Sequence, residues 1–183
     1  KKNELIKQGR KIKWFPGFMI KRYENWINGL EWDWSISRER HFGVPIPVWH
    51  CKKCGQVILA DVKDLPVDPM KDKPKARCKC GSSEFEAEHD VLDTWATSSL
   101  TPEIAISLIT KEPSKLLPET LRPQGHDIIR TWAFYTIVKA LYHHNKIPWE
   151  NVMISGFITL GGEKMSKSKG NVVEPQDIMS KYG

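Results

Sequence analysis

A long apolar segment with helical periodicity, flanked by two strand-like segments, restricts the fold of this chain more than any other feature. From about Ile128 to His144, apolar side chains recur at helical spacing on more than one side of the helix, which indicates burial. One strand is predicted to end at Gly125, and Val152–Ile158 is predicted to form a second strand that ends in a turn. Strand, helix and strand in this order imply a βαβ unit with a parallel sheet. The sequence therefore predicts an α/β fold, in which a short last helix begins at Pro175 and stops near Gly183.

Composition and charge restrict the class of protein. The 183 residues are 40% hydrophobic and 27% charged, which suits a globular domain with an appendage. No apolar run approaches the roughly 20 residues that span a bilayer, and the polar start carries no secretory signal, so a cytoplasmic location is expected. Residues 1–26 hold eight Lys or Arg against Glu4 and Glu24, and so supply the whole net charge of +6. A solvated surface segment is the preferred interpretation of this basic stretch, with nucleic-acid binding as the alternative.

Three segments differ in composition. Residues 1–50 are basic and then aromatic, and they end in an extended run that contains two prolines. Residues 51–88 hold all four cysteines and a polar middle rich in Pro and Lys, whereas residues 89–183 have the pattern of packed α/β structure. Because the middle segment has little apolar content, a metal would have to organise it.

Two close cysteine pairs indicate a metal site. Each pair precedes a glycine: Cys51 with Cys54, and Cys78 with Cys80. Disulfides are disfavoured because no secretory context supports them. Four thiolates at this spacing favour a tetrahedral, structural zinc ion over free thiols. The Cys-x-Cys half is one residue shorter than the common spacing, which leaves His50 and His89 as possible substitute ligands.

A lysine-rich loop carries the most specific signal. The run Lys164–Gly170 reads Lys-Met-Ser-Lys-Ser-Lys-Gly and follows a Gly-Gly pair, so it can bend and can offset the charge that develops on a triphosphate. Its first five residues match the KMSKS signature of class I aminoacyl-tRNA synthetases. The resemblance implies that Lys167 stabilises the adenylation transition state and that Lys164 and Ser166 lie at the ATP site.

A second segment resembles the same group of enzymes. Gly125–Trp132 is similar to the G-x-D-x-x-x-x-W element of valyl- and isoleucyl-type synthetases. The resemblance implies that Gly125 and Asp127 lie beside the adenylate, and that Ile128 and Trp132 help to wall the amino-acid pocket. One helical turn separates Ile128 from Trp132, so the two side chains can share a face.

One further segment points to the valyl branch, and another resembles the same group of enzymes. Asp90–Ser99 resembles the D-V-x-D-T-W-x-S-S segment of that branch, which implies that Trp95 is the other aromatic wall of the pocket. Ser37–Trp49 resembles the stretch in which such enzymes re-enter the catalytic fold after the editing insertion, and its role is expected to be architectural. Related synthetases carry a zinc knuckle between these two segments, at the position of the cysteine pairs.

Together these resemblances imply the second half of a class I Rossmann-like, parallel-sheet nucleotide-binding fold with a small zinc-ribbon-like insertion. The implied reaction activates valine with ATP, accompanied by Mg, and transfers it to tRNA(Val). The implied partners also include the first Rossmann half, an editing domain and an anticodon-binding domain of the same chain. No His-x-Gly-His motif occurs in the sequence, so this chain alone is expected to form adenylate poorly.

Three alternatives remain at this point. An isoleucyl-type synthetase is the closest. The cysteine pairs and the basic stretch are also compatible with a zinc-ribbon module that binds RNA or a protein. A small-molecule ligase with a related nucleotide fold is the third, although such enzymes have looser lysine loops.

Overall fold

The computed structural model describes residues 1–112 and 115–183. Within these, residues 1–28 and 115–183 form one compact unit and residues 29–112 form another. The packing therefore crosses the segment boundaries expected from composition, because residues 29–50 belong with the cysteine segment whereas residues 1–28 belong with the C-terminal part. In the described ranges, no helix has the length and apolarity needed to cross a membrane.

A parallel sheet forms the centre of the first unit. Its three strands are β1 (Lys13–Phe15), β7 (Glu119–Gly125) and β8 (Trp149–Ser155), in the spatial order β1-β8-β7. Both neighbours run parallel to β8, and Val152 of β8 lies opposite Trp14 and Arg122. The predicted βαβ unit is thus confirmed, although its second strand begins before Val152 and ends at Ser155.

The crossover between β7 and β8 is a compound helix. A 3₁₀ turn (His126–Ile128) leads into a π-helical turn (Ile129–Ala133) and then into helix α5 (Phe134–His144). The predicted helical segment is confirmed over its predicted length, but it is not one regular α-helix. Its interior face is mainly apolar, with Ile129 and Ile137 completely buried, and the buried Thr136 hydroxyl donates to the Trp132 carbonyl at 2.7 Å. Single π-helical turns inside helices are frequent at functional sites.

The basic N-terminal stretch folds into two packed helices, α1 (Lys2–Lys11) and α2 (Ile20–Asn28). Tyr23 of α2 is completely buried and donates its hydroxyl to the Leu5 carbonyl at 2.9 Å. Arg10 and Lys21 flank the Glu24 carboxylate at 2.8 and 3.1 Å, and these hydrogen bonds hold the pKa of Glu24 below its usual value. The stretch is therefore ordered structure, with most of its lysine side chains at the surface.

Two small antiparallel sheets organise the second unit. In the first, β3 (Val48–Cys51) lies between β4 (Val57–Leu59) and β5 (Phe85–Ala87). In the second, β2 (Ser37–Arg38) pairs with β6 (Val91–Leu92), and helices α3 (Thr94–Ser98) and α4 (Thr101–Ser107) follow. Cys51 ends the central strand, so the sheet fixes the position of the first cysteine pair.

The chain ends with a hairpin, a loop and a helix. The hairpin strands are β9 (Thr159–Leu160) and β10 (Glu163–Lys164), and the last helix is α6 (Pro175–Tyr182). As predicted, α6 begins with its proline, and its last helical residue is Tyr182.

Candidate functional site

The carboxyl ends of the two longest parallel strands define one edge of the first unit. Gly125 ends β7 and pairs in register with Ser155, which ends β8. Immediately after Gly125, the chain turns into the 3₁₀ turn that carries His126 and Asp127. In open α/β sheets, ligands bind outside the carboxyl ends of the strands, so this edge is where a nucleotide site is expected.

Gly125 makes room for a carboxylate. A Cβ built on Gly125 would lie 2.5 Å from Asp127 Oδ1, a distance that real Cβ atoms do not show. The backbone of Gly125 has φ −72° and ψ 154°, which any residue can adopt. Glycine is therefore needed here for space and not for conformation. The turn has no side-chain cap, and the carboxylate of Asp127 is half-exposed at the strand edge.

The lysine loop begins in a tight hairpin. Gly161 and Gly162 form its two-residue turn with φ of 59° and 83°, values that match a type I′ turn and favour glycine. After β10, Asn171 closes the loop: its Oδ1 accepts from the Ser166 backbone N–H at 2.8 Å, and its amide donates to the Lys164 carbonyl at 3.3 Å. The loop is thus held at its two ends by one asparagine.

Lys164 joins the loop to the strand edge. Its Nζ lies 3.8 Å from Asp127 Oδ2 and 3.7 Å from the centroid of the Phe157 ring. Phe157 in turn lies against the His126 ring, with 4.5 Å between centroids, and His126 Nδ1 is 3.3 Å from the Ser155 carbonyl oxygen. The structure therefore brings Lys164, Asp127 and Gly125 together. Sequence reasoning missed Phe157 and His126, whose only signal is their position next to the two motifs.

The other two loop lysines differ in their surroundings. Lys169 pairs with Glu163 at 3.0 Å. Lys167 is exposed in a 3₁₀ turn, and across residues 1–112 and 115–183 no carboxylate lies within ion-pair distance of its ammonium group. Ser166 and Ser168 share a hydrogen bond of 2.8 Å between their hydroxyls. The arrangement leaves Lys167 available to an incoming anion.

The predicted pocket residues fall in two places. Ile128 is half-buried in the 3₁₀ turn, and Trp132 is only 4% exposed in the π-helical turn. The Arg122 guanidinium stacks 3.8 Å above the Trp132 ring, and the Trp149 ring packs 5.3 Å away. Trp95 is half-buried on α3 of the second unit. The contact between Arg122 and Trp132 was not predicted, because no sequence pattern indicates it.

An ion pair joins two motifs of the second unit that lie far apart in sequence. Arg38 Nε lies 2.9 Å from Asp93 Oδ2, and Asp93 Oδ1 accepts from the Trp95 backbone N–H at 2.8 Å. Asp93 is buried, and it thereby caps α3 while it neutralises Arg38. Gly43 lies so close to Val91 that a Cβ would overlap that side chain. The architectural role expected for Ser37–Trp49 is consistent with these contacts.

The four cysteines converge into one cluster. All four sulfur atoms lie within 4.8 Å of one another. Cys51 and Cys80 sulfurs are 3.7 Å apart, and Cys54 and Cys78 sulfurs are 3.4 Å apart. Tetrahedral coordination with metal–sulfur bonds of about 2.3 Å requires about 3.8 Å between sulfurs, so the cage has the size of a zinc site.

Local turns build this cage. Gly55 and Gly81 follow the cysteine pairs with φ of 71° and 84°, and their N–H groups each donate at 2.8 Å to the carbonyl of the first cysteine of their pair. His50 lies outside the cluster and instead pairs with Glu88 at 3.1 Å, and His89 is not part of the cluster found among the described residues. The short Cys-x-Cys half thus contributes both of its sulfurs.

The thiols of the cluster do not ionise equally. Burial opposes ionisation of Cys51, but backbone N–H groups of Cys54 and Lys53 and the neighbouring thiols bring its pKa to about 6. For Cys78, a backbone N–H from Cys80 favours the thiolate, yet burial and the other three sulfurs raise its pKa to about 12. A divalent cation would supply the charge needed to ionise all four thiols together.

Comparisons with known proteins agree with this geometry. Residues 2–183 match the family model described as tRNA synthetases class I (I, L, M and V). The valine–tRNA ligase of Thermoplasma volcanium is 57% identical over 100% of this chain and 23% of its own length, and that of Picrophilus torridus is 50% identical over 100% and 24%. The valine–tRNA ligase of Methanosarcina barkeri is 51% identical over 97% of this chain and 20% of its own length. The chain thus spans about a quarter of these relatives.

A solved structure shows the same fold. The agnB2 LeuRS of Agrobacterium radiobacter K84, in a ternary complex with tRNA and LeuAMS, superposes with a TM-score of 0.64. It is 27% identical, and the match covers 84% of this chain and 23% of the LeuRS chain. This chain therefore shares the fold of the matched part of that LeuRS chain.

Proposed function

This chain belongs to the class I tRNA synthetases, and from that premise we propose that it is part of the catalytic domain of a valine–tRNA ligase. The choice of valine is supported by the identities of 50–57% with valine–tRNA ligases along the whole chain. The sequence Asp93-Thr94-Trp95 favours the valyl branch over the isoleucyl branch. Membership of the family also favours this function over a free-standing zinc-ribbon module and over a small-molecule ligase.

One contact carries the proposal. Lys164 Nζ lies 3.8 Å from Asp127 Oδ2, so the lysine loop reaches the carboxyl ends of the parallel strands. A nucleotide bound at that edge would have cations on the phosphate side and the Gly125–Asp127 turn on the other. The same loop on an unrelated face could not contact both parts of one small substrate.

The proposed chemistry has two steps. A carboxylate oxygen of valine attacks the α-phosphorus of ATP, and the bond to pyrophosphate breaks, which leaves valyl-adenylate. A ribose hydroxyl at the tRNA end then attacks the acyl carbon, and AMP leaves with the bonding electrons. Catalysis rests on positioning and on charge stabilisation, without a covalent enzyme intermediate.

Each site residue has a proposed role in the first step. Lys167 stabilises the negative charge that develops on the phosphates, because its ammonium group is exposed and has no carboxylate partner in the described ranges. Lys164 and Ser166 contact ATP, while Gly125 and Asp127 lie against the adenylate. ATP is expected to bring Mg, which would offset phosphate charge.

Ile128 and Trp132 are proposed to wall the amino-acid pocket, and the role of Trp95 stays a prediction from the resemblance. Ile128 is half-buried at the strand edge, where its side chain can meet a small branched substrate. Trp132 is held rigidly between Arg122 and Trp149, so its indole provides a fixed boundary. A rigid apolar pocket discriminates by size.

The cysteine cluster is proposed to hold one structural zinc ion. The sulfur separations fit tetrahedral thiolate coordination, and four protein ligands leave no open position for substrate. The ion would fix the turns at Gly55 and Gly81 in a unit with a small apolar core. It would take no part in adenylation.

The complete enzyme is proposed to act in the cytoplasm on ATP, valine and tRNA(Val). Because this sequence contains no His-x-Gly-His motif, the first Rossmann half and the editing and anticodon-binding domains would come from other segments of the same protein. The 183-residue chain alone is therefore expected to form adenylate poorly. Robust valine-dependent exchange of pyrophosphate into ATP by the isolated chain would contradict this expectation.

The decisive test is a comparison of two lysines in the full-length ligase. Lys167→Ala should lower kcat for valine-dependent pyrophosphate exchange by about 10²–10³-fold, the usual cost of removing one group that stabilises transition-state charge. Lys169→Ala is the matched control, because Lys169 is paired with Glu163, and its loss should be much smaller. Equal activities of the two variants would refute the role of Lys167, and exchange that depends on isoleucine instead of valine would refute the choice of substrate.

A further inference from the structure

A basic cleft in the second unit is not used by the proposed chemistry. Residues 69–77 and strand β5 enclose about 850 Å³, which lies in the size range of ligand sites. Five cationic side chains and only two carboxylates line it. A second hollow of about 600 Å³ shares Lys52, Ser83 and Glu84 with the first, so the two form a continuous track.

The cations of the cleft differ in whether they are already neutralised. Lys71 pairs with Asp68 at 2.8 Å, and Lys75 pairs with Asp64. Lys52, Lys73 and Arg77 are exposed, and in the described part of the chain no carboxylate lies within ion-pair distance of them. The first hollow therefore has three cations that can bind external anions.

The wall of the cleft is ordered. The Asp68 carbonyl accepts from the N–H groups of Lys71 and Asp72 at 2.9 and 2.7 Å, and the Asp72 carboxylate accepts from the Asp68 N–H at 2.9 Å. Buried Trp49 donates its indole N–H to the Asp72 carbonyl at 3.1 Å and so ties this turn to strand β3. The cations that follow the turn are thus presented from a fixed support.

Apolar surface lies beside the charges. Met70 is 57% exposed at the cleft and Phe85 of β5 is half-buried there. The phenyl ring offers a flat face for a nucleobase and the thioether offers a polarisable contact, and single-stranded RNA is recognised by stacking on aromatic side chains together with cations along its backbone. A free nucleotide could fill one hollow but would leave the connected hollow and its cations unmatched.

We propose that this cleft binds a single-stranded segment of RNA, with phosphates at Lys52, Lys73 and Arg77 and a base against Met70 and Phe85. The choice of RNA over other polyanions rests on the proposed function, because a tRNA ligase must hold a tRNA. Neither the sequence motifs nor the adenylation chemistry uses these five side chains.

The test uses the full-length ligase with two probes: transcribed tRNA(Val) and a single-stranded oligoribonucleotide that copies the tRNA 3′ end. Binding is measured by fluorescence anisotropy at a series of salt concentrations. The charge-removing variant is Lys73→Gln with Arg77→Gln, and the matched control is Lys73→Arg with Arg77→Lys, which keeps both charges. Lys73 and Arg77 are both exposed, so the fold should be retained in both double variants. Metal content and thermal unfolding check this.

Counterion release sets the expected magnitude. Each phosphate contact to a single strand contributes about 0.7 to the slope of log K against log salt, so removal of two contacts should lower the slope by about 1.4. Between about 1 M and about 0.1 M salt, the ratio of wild-type affinity to variant affinity should therefore increase roughly 25-fold. The charge-retaining control should keep the slope, and ATP affinity should be unchanged in every variant.

The outcomes separate this proposal from the proposed function. The proposed RNA cleft is overturned if the charge-removing variant has an unchanged slope of log K against log salt. It is also overturned if that variant loses ATP binding and keeps RNA binding. If that variant misfolds, Lys52→Gln alone decides, since it should lower the slope by about 0.7. Failure of valine-dependent pyrophosphate exchange in the wild type refutes the ligase function instead. In that case, binding of the oligoribonucleotide still shows whether the cleft binds RNA.

Discussion

Replacement of Gly125 by alanine should impair catalysis without affecting the fold. The new Cβ would lie 2.5 Å from Asp127 Oδ1, whereas ordinary contact begins at 3.4 Å, so the carboxylate oxygen must retreat by about 0.9 Å. Its partner Lys164, at 3.8 Å, belongs to the lysine loop, so the displacement also alters the loop's anchor. A misplacement of about 1 Å in a catalytic arrangement can cost about 10²-fold in rate. We therefore expect kcat/KM for valine-dependent pyrophosphate exchange to fall on the order of 10²-fold, or about 2.7 kcal/mol.

The structure offers a matched control for this variant. Gly156 directly follows the neighbouring strand β8, and a Cβ there would meet nothing within 4 Å. Gly156→Ala should therefore retain nearly full exchange activity. Gly125→Ala should also have a normal thermal unfolding temperature, because φ −72° suits alanine.

A double-mutant cycle tests the route of the effect. If Gly125→Ala acts through the Asp127 carboxylate, then Asp127→Ala should remove the space conflict, and the combined loss should be much smaller than the sum of the two single losses. Full activity of Gly125→Ala, equal damage by Gly156→Ala, or simple additivity with Asp127→Ala would each refute the reasoning.

Three further predictions concern the metal, the core and the pocket. Purified full-length protein should carry one zinc ion per chain at the cysteine cluster. Cys78→Ser should lower the zinc content and speed hydrogen exchange in β3 and β5, while the control Lys79→Ala should change neither. Because protons compete with the metal for sulfur, zinc should be released as pH falls from about 8 to about 5. Gly9→Ala should destabilise α1 by about 1–2 kcal/mol, because the new Cβ would overlap the buried Tyr23 ring. Helix propensity alone would instead favour alanine by about 1 kcal/mol. Hydrogen exchange in α1 should be faster than in the control variant Gly17→Ala, and slower exchange would contradict this prediction. Trp132→Ala should lower valine activation and raise relative activation of larger amino acids by roughly 10-fold or more; unchanged selectivity in a panel of amino acids would count against a pocket role, and Trp132→Phe separates that role from loss of core packing.

The sequence by itself indicated the fold class, the protein family and the four residues of the cysteine cluster. Helical periodicity after Gly125 is a local property of the chain, and so is the spacing of the cysteine pairs. The run from Lys164 to Ser168 is equally local, since its five residues are contiguous. Such features can be recognised without coordinates because each is set by neighbours a few residues apart.

Only the tertiary structure decided which distant side chains meet. The contact of Lys164 with Asp127 and Phe157 depends on the parallel register of β7 and β8, which is not encoded by any short pattern. The same holds for the Arg38–Asp93 pair and for the stacking of Arg122 on Trp132. The reason is that a contact between residues far apart in sequence depends on the path of the whole chain, because packing of all the elements together fixes it, whereas periodicity and spacing describe one element at a time.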